Sequence, residues 1–85
     1  MKLFNILKRI LDEPITIELK NGIIVHGNLK NIDKKINIFL INAKRMDNEK
    51  KSTYIKNIAI RGNNVRYIIF PDWLNIDSLL YGESV

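Results

Sequence analysis

Cysteine is absent from the 85 residues, which excludes disulfides and thiolate metal centres. Only one histidine is present, His26, with no second histidine, cysteine or nucleophile arrangement beside it. The acidic pairs Asp12-Glu13 and Asp72 with Asp77 lack a third ligand, so no metal and no cofactor is expected. There is no nucleophile and base pairing and no phosphate-binding glycine loop, which makes an enzyme the poorest reading. No apolar run approaches the roughly 20 residues of a membrane span, because Asn, Lys or Arg interrupts each candidate. A soluble chain with no membrane partner and no small-molecule substrate is expected. The opening MKLFNILKRILDE lacks a long apolar block with a small-residue cleavage site and reads as part of the fold.

What is present is a short, basic chain. One domain spanning residues 1–85 is expected, and at this length only about 60–65% of the unfolded surface is buried on folding. The core is therefore thin. With disulfides and thiolate metals excluded, association is the remaining source of stability. Fourteen Lys and Arg against nine Asp and Glu give a formal charge of +5. A polyanion fits that balance, as does a lysine-rich surface that only keeps the chain in solution.

Leu3, Ile6, Leu7, Ile10 and Leu11 recur at helical spacing, which predicts an amphipathic helix over about residues 2–11 that packs on a core and is ended by Pro14. The period then changes to two. Strands are predicted over about 15–20, 23–33, 36–46, 52–60 and 65–70, with a short cap over 72–81. Asn21-Gly22 is a two-residue hairpin signal between the first two strands. Gly27, inside the second strand, predicts a bulge or sharp bend. On the third strand Ile36, Ile38 and Leu40 share one face, with Phe39, Ile41 and Ala43 on the other. The loop DNEKK, Asp47 to Lys51, carries no sign of a site. Trp73 is assigned to packing the cap. The fold class is mainly β, a helix followed by five antiparallel strands in a small, strongly bent sheet or open barrel.

The segment NLKNIDKKIN, with Asp33 ahead of Lys35-Ile36-Asn37, resembles the first Sm motif, and IAIRGNNVRYI resembles the second, in which a hydrophobic strand runs into Arg-Gly. Together with MKLFNIL, TIELKNG, VHG, IRGNNVRY and PDWLNIDSLL, these motifs identify the chain as similar to the Sm and Sm-like proteins, and within them to the spliceosomal branch. The resemblance covers Met1 to Leu80. It implies the Sm fold and a ring of seven different subunits, with Sm D-two and Sm B as neighbours. Each fourth strand joins a neighbour's fifth strand, here Tyr54, Ile55, Lys56, Asn57 and Ile58 against Arg66, Tyr67, Ile68, Ile69 and Phe70. It also implies a nuclear ribonucleoprotein core, assembled in the cytoplasm, that holds the single-stranded uridine-rich site of small nuclear RNAs and supports splicing.

In that family the turns between strands two and three and between strands four and five line the central hole. The implied RNA-binding residues are Lys35, Asn37, Arg61, Gly62 and Asn63, with Asp33 bracing the loop. The chemistry suits these roles: an amide pairs with a uracil edge, a guanidinium stacks on a base or neutralises phosphate, and glycine admits close backbone approach. Two departures stand out. Lys35 replaces the aromatic or other base-packing side chain usual there, which predicts tighter but less uracil-selective binding. An Arg-Gly-rich tail is absent after LYGESV, so assembly factors that depend on such a tail are not expected. Two alternatives stay open: an Sm-like ring subunit in RNA decay or processing, and a protein-interaction barrel that binds no RNA.

Overall fold

The computed structural model describes residues 2–71 together with Trp73. It opens with α1 (Lys2–Lys8), followed by β1 (Pro14–Leu19), β2 (Ile24–Ile32), β3 (Asn37–Met46) and β4 (Ser52–Arg61). A single 3-10 turn (Gly62–Asn64) then leads into β5 (Val65–Ile69). The five strands form one antiparallel sheet in the order β4-β3-β2-β1-β5. The predicted cap over 72–81 lies outside the described residues, apart from Trp73, which is 64% exposed.

The helix is shorter than its apolar spacing predicts. It ends at Lys8, and the chain continues in tight turns in which Arg9 N–H donates to Ile6 C=O and Ile10 N–H to Leu7 C=O. Asp12 takes a left-handed conformation (φ 70°), so the helix is broken before Pro14 is reached. The segment then docks on β2: Asp12 N–H donates to Leu29 C=O, and Leu29 N–H to Glu13 C=O.

Strand periodicity explains the core. Ile15 and Ile17 of β1, Val25, Leu29 and Ile32 of β2, and Ile38 and Leu40 of β3 point inward, where Leu7 and Ile10 cover them. Among the described residues no polar or charged side chain is buried. The edges differ sharply: β4 buries only Ile60, and β5 buries no residue fully.

The first hairpin departs from the sequence reading, whereas the bulge predicted at Gly27 is present. The first hairpin closes through three residues, Lys20 to Gly22, not two. Leu19 N–H donates to Ile23 C=O, Gly22 N–H to Leu19 C=O, and Gly22 takes φ 90° as the left-handed residue that follows a tight turn. At Gly27 the β2–β3 register shifts, and the extra residue lies on β3, where Asn42 has φ 50°. That bulge turns Ala43 into the core instead of leaving it beside Phe39 and Ile41. A Cβ on Gly27 would stand 3.0 Å from Ala43 Cβ, so glycine is what lets the two strands close at the bend. A second shift, at Lys30, bends β2 again. Finally, Arg61 to Asn64 does not make a hairpin. β4 and β5 are opposite edges of the sheet, and the tetrapeptide crosses between them.

Candidate nucleic-acid interface

The turn from Asp33 to Asn37 is organised by one carboxylate. Asp33 Oδ1 accepts from the N–H groups of Lys35 (3.0 Å) and Asn37 (2.9 Å), and Oδ2 accepts from Asn37 Nδ2 at 2.8 Å. Asp33 C=O accepts from Ile36 N–H, and Asp33 N–H donates to Asn37 C=O. These bonds favour the charged carboxylate and hold Asp33 below the usual carboxylate range. The Asn37 N–H is the largest contributor, followed by the Asn37 amide, and the Lys35 amide and charge add to them against a smaller burial penalty.

Asp33 also fixes which way the Asn37 amide points. An ionised carboxylate only accepts, so the NH2 group must face it. One N–H and both lone pairs of Oδ1 remain for a ligand. That is a donor beside an acceptor, the complement of a uracil edge.

The second turn is brought against the first by register and by one short bond. Asn37 pairs with Arg61 across β3 and β4, and Gly62 N–H donates to Ile36 C=O at 2.7 Å. Gly62 itself does not have positive φ; its requirement is space. A Cβ there would stand 2.8 Å from Ile36 O and 2.7 Å from Ile36 Cγ2. The left-handed residue is Ile36, at φ 59°. A β-branched side chain in that region is strained by about 1–3 kcal/mol, and here its burial in the core holds it there.

Lys35, Asn37, Arg61, Gly62 and Asn63 together line one cavity of about 370 Å³. Residues from two turns, separated by the length of β3 and β4, thus meet in one place. None of the five is acidic and two are cationic, while the Asp33 carboxylate is turned into its own loop. The site can take a planar polar group and a neighbouring anion together. Ile36, which joins the two turns, falls by sequence in the first turn and at the start of the third strand, with no role of its own in the site. No local signal reveals its role, since β-branched residues disfavour the conformation it adopts.

The two segments assigned to subunit contacts occupy β4 and β5, the open edges, with Phe70 just beyond β5. Tyr54 on β4 and Tyr67 and Ile69 on β5 are exposed. Tyr67 Oη donates to Glu18 Oε1 at 2.8 Å, which pushes its phenol pKa up, and Arg66 bonds both Glu18 Oε2 and Lys20 C=O. These contacts seat β5 on β1. His26 is exposed and shares a hydrogen bond with Thr16 across the first two strands, apart from the cavity.

Residues 5–70 match the LSM domain. Small nuclear ribonucleoprotein Sm D1 of Saccharomyces cerevisiae is 36% identical, with 99% of this chain and 76% of that protein covered. The LSM complex subunit LSM2 of the same yeast is 38% identical, over 80% of this chain and 74% of its own length. Among solved structures, the Sm protein of Pyrococcus abyssii in complex with a uridine heptamer has a TM-score of 0.68 and 30% identity. It covers 75% of this chain and 90% of its own.

Proposed function

This chain belongs to the LSM-domain family, and from that premise we propose that it is a non-catalytic subunit of a seven-membered Sm ring that holds the single-stranded uridine-rich site of spliceosomal small nuclear RNAs. The observation that carries this reading is the cavity at Asn37. Its amide is oriented by Asp33 with a donor and an acceptor free, and Lys35, Arg61 and the Gly62 backbone surround it.

One base fits such a cavity, and one base gives little affinity. The ring supplies the rest, since several pockets acting on one strand raise avidity without any new contact. Two open edges of one sheet favour this arrangement: β4 of one subunit adds to β5 of the next, covering Tyr54, Tyr67 and Ile69 and leaving no edge unpaired. In the spliceosomal reading the flanking subunits are Sm D-two and Sm B, and the particle assembles in the cytoplasm and works in the nucleus.

The spliceosomal assignment is supported by similarity to Sm D1 along almost the whole chain. A second reading, an Sm-like subunit in RNA decay or processing, is favoured by the 38% identity with LSM2. Native mass spectrometry of the chain coexpressed with candidate partners and offered uridine-rich or adenosine-only RNA separates them. A heteroheptamer with Sm partners that holds one uridine-rich strand, weakened by Asn37→Ala and Arg61→Ala, is the expected result. Rings formed only with Sm-like partners favour the second reading. Assembly indifferent to RNA and to both substitutions favours a protein-interaction barrel instead.

A further inference from the structure

The outer face of the sheet continues the cavity in one direction. Asn37, Phe39 and Ile41 alternate with buried Ile38 and Leu40, so all three lie on the solvent side of β3. On β4 their register partners are Arg61, Ala59 and Asn57. One pair along from Asn37 and Arg61, about 7 Å by strand rise, stands the pair Phe39 and Ala59.

Phe39 is one of few aromatics in the chain, and it is half-buried on the face turned away from the core. Its cross-strand partner is alanine, too small to cover the ring. The register shift at Lys30 places that residue on the same patch: a separate groove of about 220 Å³ is lined by Lys30 of β2, by Phe39, Leu40 and Ile41 of β3 and by residues 57–59 of β4. No lining residue is acidic. A partly exposed aromatic that shares a groove with a lysine, a short step from a base-sized polar cavity, has the composition of a single-strand stacking platform.

We propose that this face is a second RNA contact: a base of the strand entering or leaving the ring stacks on Phe39 while Lys30 meets its phosphate. The inference rests on the RNA-binding reading above and extends it from the polar cavity to an apolar surface outside it. The groove selects a base for its π-face and not for its edge, so it tolerates any base. The cavity, by contrast, reads one edge through Asn37.

The test compares heptauridine with the same heptamer carrying three flanking nucleotides at each end, either adenosine or abasic, on the assembled ring. Wild-type protein is expected to bind the adenosine-flanked strand roughly five- to tenfold more tightly than the abasic-flanked one. Phe39→Leu, which keeps the apolar volume and removes the ring face, is expected to abolish that difference and leave heptauridine affinity unchanged. With 5-iodouracil in the flank, ultraviolet cross-links are expected on the peptide that contains Phe39. A flank effect that survives Phe39→Leu, or cross-links elsewhere only, would overturn the proposal. So would a Phe39→Leu variant that retains the flank effect but loses a ring subunit, which would assign the face to a protein contact. Loss of heptauridine binding in Asn37→Ala, with wild type binding it, establishes that the cavity reading stands whichever way the flank result falls. If wild type binds no heptauridine, both readings fall together.

Discussion

The two loops that bound β3 share one backbone pattern. At its start, Asp33 Oδ1 accepts from the N–H groups two and four residues on, its C=O accepts from Ile36 N–H, its N–H donates to Asn37 C=O, and Ile36 has φ 59°. At its far end, Asp47 Oδ1 accepts from Glu49 and Lys51 N–H, its C=O accepts from Lys50 N–H, its N–H donates to Lys51 C=O, and Lys50 has φ 64°. The backbone scaffold is one design used twice. What differs is what surrounds it. In the first loop the left-handed residue is buried and bonded to Gly62, and the fifth residue carries an amide that reaches the second oxygen of its aspartate. In the second, Lys50 is exposed, and the Lys51 ammonium meets Glu49 at 3.6 Å in open solvent. An aspartate-closed turn is thus a frame, and in the proposed reading it becomes a site when a second turn packs on it and a reading group stands at its end.

Exchanging parts of the two loops tests this contrast. The largest effect is expected for Ile36→Gly. Although it relieves a left-handed β-branched residue, it removes a core side chain, and a loss of about 2 kcal/mol or more is expected in chemical denaturation. Gly62→Ala pushes a methyl against Ile36 backbone from the other side and is expected to cost about 1–3 kcal/mol. Lys50→Gly, at nearly the same φ, is expected to change stability by no more than about 0.5 kcal/mol and in the stabilising direction.

Asn37→Ala removes the edge-reading amide and leaves Asp33 Oδ2 without its partner. A fall of about tenfold or more in heptauridine affinity of the assembled ring is expected, against none for Lys51→Ala. Asp33→Ala and Asp47→Ala are expected to lose similar stability, about 1 kcal/mol each, as capping carboxylates do. Only the first should weaken RNA binding. A matched loss of affinity in both would mean that the scaffold alone confers function.

The smallest expected effect is that of pH. The folded state lowers the Asp33 pKa, so the contribution of its carboxylate is fully present above the unfolded value of about 3.9. It is lost only as pH falls through the lower folded value. Heptauridine affinity is therefore expected to be flat from pH 7 down to the ordinary carboxylate range, and to fall only below that range as Asp33 is protonated and releases Asn37. A midpoint between pH 5 and 7 in an affinity titration would place the controlling group elsewhere.

Much of this was readable from residue order. Alternation at Ile15 and Ile17 and at Ile38 and Leu40 places the core, because a period of two has only two faces to choose from. The residues of the cavity could be named because the resemblance to the two Sm motifs points to these two turns, whose side chains suit one ligand. The remainder depended on contacts between distant residues. Ala43 reaches the core only because Asn42 takes an extra step opposite Gly27, and nothing local to Asn42 reveals the partner that demands it. Asn21-Gly22 signals a turn correctly but not its length, which the register of the flanking strands decides. Arg61 to Asn64 has the composition of a hairpin and instead crosses the sheet. Turn chemistry reports that the chain changes direction, and not which strand it meets next.

The bend at Gly27 has an arithmetic consequence. A protomer whose two free edges are different from each other associates head to tail, and each addition rotates the next copy by the angle between those edges. The contact residues decide whether neighbours adhere, whereas the angles that all the subunits contribute together decide when the circle closes. Curvature set where Gly27 lies against Ala43, one strand in from the β4 edge, therefore fixes the rotation this subunit contributes to the circle, and a larger side chain there would change that contribution.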